Sequence, residues 1–154
     1  MSAGILTLNR FNGQEQFLIS EASILHYEDD GKFLLSFEIA TKGEAIKTLP
    51  DTKELRAQPN AEFNVQVNDF YWDNLVGKQF AIPKGYDEET GDYLSLFYYC
   101  EHEATDDNLI EVVERSGDKF HVIITATCID VNYYDDSKPR TKIEIDAWFK
   151  TQFN

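Results

Sequence analysis

Apolar residues recur at every second position along much of the chain. Phe33, Leu35, Phe37 and Ile39 alternate with Lys32, Ser36 and Glu38, the period of a half-buried strand. In "KIEIDAWF", Ile143, Ile145, Ala147 and Phe149 share one face, and Glu144, Asp146 and Trp148 the other. In "KFHVIITATCIDV", Phe120, Val122, Ile124 and Ala126 oppose His121, Ile123, Thr125 and Ile129. This run is apolar on both sides, as expected of a central strand covered on both faces.

Turn residues separate the runs. Asn12-Gly13, Asp29-Asp30-Gly31 and Ser116-Gly117-Asp118 each lie between apolar stretches and predict hairpins. Strands are expected over 5–11, 15–27, 32–41, 62–68, 78–82, 93–103, 109–115, 119–131 and 142–152, the second bent or bulged near Ser20–Ser23. Two short stretches look helical: "LPDTKELRAQ", with Pro50 placed for a first turn, and "DFYWDNLVG", capped by Asp69 and stopped by Gly77. Nothing here supplies the crossover helices of a parallel sheet. The expectation is a single all-β domain over residues 1–154. It would be an antiparallel two-layer sandwich or flattened barrel of about nine strands, with one or two short helical turns.

Charge changes the picture. Twenty-eight acidic residues against 14 basic ones give a net charge of −14. Eleven of the acids and one base, Arg115, fall between Asp87 and Asp118. Such a surface repels phosphate backbones and anionic lipid, so neither nucleic acid nor membrane is an expected partner. A basic protein is. Two cysteines are too few for a disulfide scaffold, no signal peptide or 18-residue apolar run is visible, and the expected location is the cytoplasm. Unpaired sheet edges leave a monomer or a homodimer open.

Candidate chemistry concentrates in "YYCEHEATDD". If 93–103 is one strand, Cys100 and His102 are neighbours on one face, about 6.5–7 Å apart at the Cα atoms, and could share a zinc ion with a third ligand from elsewhere. Asp135 and Asp136, in "DVNYYDD", are oxygen donors suited to calcium, as are "ATDDN" and "YDEETGD", but none follows the EF-hand pattern. Aspartates in loops more often serve turns through local hydrogen bonds. No cofactor is expected. Nucleophile-elbow, zinc-protease and phosphate-loop motifs are absent. Paired carboxylates leave a hydrolase as a distant alternative.

Aromatic residues complete the pattern. Tyr133 and Tyr134 are adjacent in an acidic loop, and Trp72 lies in "DFYWDN". Tyr and Trp among acids make anchors for a basic protein surface. The leading expectation is a non-catalytic acidic protein-binding module, of inhibitor or immunity type, facing a basic partner such as a toxin. Glu101, Glu103, Asp106, Asp107, Glu111 and Glu114 would steer association, with Trp72, Tyr133 and Tyr134 as anchors. The alternative is a sandwich that binds a small ligand or carbohydrate, with calcium as a possible aid.

Overall fold

Glycine turns set the hairpins. Asp30 and Gly31 both adopt positive φ (53° and 76°), the twist that suits a two-residue hairpin, and Gly117 does so at 62°. The computed structural model describes residues 3–42, 45–52, 58–68 and 70–152. Within them lie ten strands: β1 (Gly4–Arg10), β2 (Gly13–Asp29), β3 (Lys32–Thr41), β4 (Asn60–Val67), β5 (Gln79–Lys84), β6 (Ser95–Tyr98), β7 (His102–Ala104), β8 (Asp106–Ser116), β9 (Lys119–Cys128) and β10 (Thr141–Gln152). They form one sheet in the order β5-β8-β9-β10-β1-β2-β3-β4-β6-β7. The all-β antiparallel expectation holds, and the ladder is a single sheet that does not close into a barrel.

The sheet curls so that its two halves cover each other. Phe37 of β3 meets Phe149 of β10 at 5.9 Å and Phe80 of β5 at 6.2 Å between ring centroids, although β5 stands six places from β3 in strand order. The inward residues of β10 and β9 are buried as the alternation requires. The outward face of β9 is not covered: Thr125 is exposed and His121, Ile123 and Thr127 are half-buried. Its β-branched residues reflect strand preference rather than a second covering layer.

Two glycines permit close approach. A Cβ on Gly4 would lie 2.1 Å from the Asp146 carbonyl oxygen, and one on Gly85 would lie 2.2 Å from that of Thr105. Gly85 fastens one edge of the sheet to the far side, since its carbonyl accepts from the Leu94 amide at 2.6 Å. Buried Asn108 reinforces this seam by donating to the carbonyls of Ile82 (2.9 Å) and Thr105 (2.8 Å) and to the Ser95 hydroxyl (3.0 Å).

The bend or bulge expected near Ser20–Ser23 of β2 is present, as a bulge between Ile19 and Glu21. Departures from the expected elements are local. Residues 93–103 are not one strand. They break into the hairpin β6–β7, with Tyr98 opposite His102 and a turn over 99–101. The pattern of apolar residues there cannot distinguish a strand from a hairpin of two short strands, because both alternate. β9 stops at Cys128, three residues early. Among the described residues of the stretch 69–77 the helical element is a 3-10 turn at Trp72–Asn74 with Tyr71 at its N-cap, and the expected Asp69 cap lies outside the described residues. Of "LPDTKELRAQ", residues 53–57 also lie outside them, while Leu49 and Thr52 close a turn (Thr52 N–H to Leu49 carbonyl, 3.0 Å). Among the described residues no helix is long and apolar enough to cross a membrane.

Candidate functional site

Two groupings of tyrosines and carboxylates stand out, one buried and one exposed. The buried one centres on Arg10, at the end of β1, whose side chain is wholly enclosed. Its guanidinium donates to both carboxylate oxygens of Asp51 at 3.1 Å and through Nε to Asp130 at 3.3 Å, and lies 3.6 Å from Glu15. Among the described residues that is one cation to three carboxylates, two of them, Glu15 and Asp130, with no side-chain exposure. Neutral donors supply the rest. The Tyr99 hydroxyl lies 2.9 and 3.1 Å from the Glu15 oxygens, and the Thr52 hydroxyl also donates to Glu15. Asp130 accepts from the amides of Asn132 (3.2 Å) and Tyr133 (2.6 Å).

The electrostatics follow from this geometry. The Arg10 hydrogen bond holds the Asp51 carboxyl down at about 2 against the opposing effect of burial, with Asn12 and Tyr133 assisting. Burial, followed by the charge and hydrogen bond of Glu15, pushes the Tyr99 phenol far up, so it remains a donor. The cluster ties the β1–β2 hairpin to the 49–52 turn, the 99–101 turn and the 130–134 loop. It is a strut: Arg10, Glu15 and Asp130 are enclosed, Asp51 is half-buried, and each is already partnered among the described residues.

Of the expected anchors, Tyr133 joins this strut. Tyr133 is 41% exposed, but its hydroxyl donates to Asp51 at 2.9 Å and its ring packs 6.1 Å from Phe11, with Lys138 Nζ at 5.4 Å. Tyr134 turns inward, at φ 56°. Its hydroxyl oxygen accepts the amides of Cys100 (2.9 Å) and Glu101 (3.0 Å), and burial raises its pKa to about 12. Trp72 packs 4.7 Å from Phe70 and 6.0 Å from Phe120 at the rim of the core. Its neighbour Tyr71 is the exposed aromatic of that stretch, at 67%.

The metal candidates do not converge. Cys100 sits in the 99–101 turn, and His102 opens β7 with its ring 4.7 Å from Tyr98 across the hairpin. Cys128 is enclosed, and burial raises its thiol to about 12. Asp135 accepts from the Ser137 amide and hydroxyl in a local turn, and Asp136 is exposed. Among the described residues no three His, Cys, Asp or Glu side chains are arranged to hold a metal ion.

The expected steering acids fall into two groups. Glu101, Glu103, Asp106 and Asp107 cluster at the β6–β7–β8 end, where Arg140 pairs with Asp106 at 2.9 Å. Glu103 is half-buried, and burial, then the neighbouring Glu101, raises its pKa against the opposing pull of Arg140. Glu111 and Glu114 lie further along β8. Glu111 accepts from Gln79 at 3.3 Å, and Glu114 stands opposite His121.

The exposed grouping is the hairpin 85–94, whose acids the charge count covered but whose two tyrosines sequence reasoning did not single out. Tyr86 and Tyr93 form an isolated antiparallel bridge with rings 4.9 Å apart, 40% and 51% exposed. Between them Asp87 caps the turn by accepting the Glu89 amide at 2.9 Å, and Gly91 takes φ 76°. Glu88, Glu89 and Asp92 are exposed. The Gly85 amide donates to Asp106 at 3.3 Å, so the base of this hairpin adjoins the Glu103–Asp106 cluster. Two parts of the one acidic run, 87–92 and 101–107, thus meet at one end of the molecule. The available signal was the pair of tyrosines flanking an acidic Gly turn in "YDEETGDY".

Compared with family models, curated proteins and solved structures, the chain matches none.

Proposed function

We propose that the protein is a non-catalytic binding module that docks a basic protein, as an inhibitor or immunity-type partner, through its acidic hairpin end. The observation that carries this reading is the solvent-facing Tyr86–Tyr93 pair framed by Asp87, Glu88, Glu89 and Asp92. Tyrosines bury large area at small entropic cost and serve as interface anchors. Surrounding carboxylates raise the encounter rate with a basic surface and help exclude acidic partners. Glu101, Glu103, Asp106 and Asp107 extend the same field at the hairpin's base. Two cysteines, Cys100 and Cys128, are too few for a disulfide scaffold and fit action in the reducing cytoplasm.

The test is affinity capture from the source cell's own extract with the parent protein, a Tyr86→Ala/Tyr93→Ala variant and a Glu88→Lys/Glu89→Lys variant. A basic protein retained by the parent, lost by the first variant and bound more slowly by the second supports the reading. Association of the second should also be less salt-sensitive. Equal capture by all three, or capture of no basic protein, rejects it.

A further inference from the structure

Strand β10 runs along β1 from Asn9↔Lys142 to Gly4↔Ala147, then continues and pairs in parallel with β2 from Lys150↔Ser23 to Gln152↔Leu25. At this fork a groove of about 660 Å³ opens on the outer face, lined in part by Ser20, Ser23, Ser116, Lys119, Trp148 and Lys150. Its charge is opposite to that of the molecule. The wall carries two lysines and one glutamate, Glu21, which pairs outside the groove with Lys42 at 3.8 Å. The rest of the chain has 14 − 2 = 12 bases against 28 − 1 = 27 acids.

Lys119 and Lys150 stand directly opposite each other on β9 and β10. Like charges at such positions repel, and among the described residues neither lysine has an ion-pair partner. Beside them the Trp148 indole is held in place. It stacks on His121 at 5.3 Å between ring centroids, and His121 Nε2 lies 2.6 Å from Asp146. The indole N–H makes no hydrogen bond among the described residues. A fixed aromatic wall beside two unpaired ammonium groups and three serines matches a ligand with an anionic end and a flat ring.

We propose that the fork groove binds a small organic oxyanion, a phosphate or carboxylate carried on a ring, with Lys119 and Lys150 on the oxyanion and Trp148 against the ring. The test uses ¹⁵N-labelled protein, whose two indole resonances, from Trp72 and Trp148, are assigned with Trp148→Phe. Phenyl phosphate is the probe and phenol its uncharged control. The expected result is a saturable shift of the Trp148 resonance alone, weakened about tenfold in Lys119→Gln/Lys150→Gln and absent with phenol. Both lysines are exposed, so the variant keeps its fold, which the same spectrum checks. An unmoved Trp148 resonance, an equal shift with phenol, or undiminished affinity in the double variant overturns the proposal.

Discussion

The Arg10 cluster and the Tyr86–Tyr93 hairpin are built from the same residue types and behave oppositely. In the first, each carboxylate is enclosed or half-enclosed and has a guanidinium, hydroxyl or amide donor. In the second, the carboxylates Glu88, Glu89 and Asp92 face water, and the tyrosine hydroxyls make no hydrogen bond among the described residues. Charge at a partnered, desolvated position holds segments together. The same charge at a solvated position contributes little to stability and is available to a partner. Composition alone cannot separate these two uses; burial does.

The sharpest way to break this contrast is to remove the cation. Arg10→Met should leave Glu15, Asp51 and Asp130 without their shared guanidinium and lower stability by about 3–5 kcal/mol, read by urea denaturation. A loss below about 1 kcal/mol would show that the neutral donors suffice. Acid should reveal the same cluster next. The folded-state pKa of Asp51 is depressed to about 2 from 3.8, so its contribution is complete above the unfolded value and is lost as pH falls through about 2. Between pH 5 and pH 2 the parent should lose more stability than Asp51→Asn. Parallel stability curves for the two would remove Asp51 from the account.

On the acidic end the expected effects are smaller, and one has the opposite sign. Glu103 has a raised pKa, so its ionised form is disfavoured in the fold and stability declines as pH rises through its titration. Glu103→Gln should therefore stabilise the protein at pH 7, by less than about 1 kcal/mol. A destabilised variant would mean that Arg140 outweighs burial there. Smallest of all, Tyr86→Ala/Tyr93→Ala should change thermal stability within about 0.5 kcal/mol per residue, as surface positions do, while removing partner capture. A large loss of stability would make the tyrosine pair a strut like Arg10.

The alternation in 32–41 and 142–149 and the glycine turns determined the class of fold without help, because a period of two with one buried face has few other solutions. Burial bears this out for Leu35, Phe37, Ile143, Ile145 and Phe149. The excess of acid between Asp87 and Asp118 was equally plain in the chain. Tertiary structure alone decided which charges are used and which are free. Nothing near Arg10 in sequence announces Asp51 or Asp130, which lie 41 and 120 residues away along the chain. Nor does sequence show that Tyr134 folds inward onto the Cys100 and Glu101 amides while Tyr86 and Tyr93 remain outside. Local pattern fixes the face of a strand, since side chains alternate by covalent geometry. Which distant loop closes over that face depends on how the whole sheet curls, and only the assembled structure carries that information.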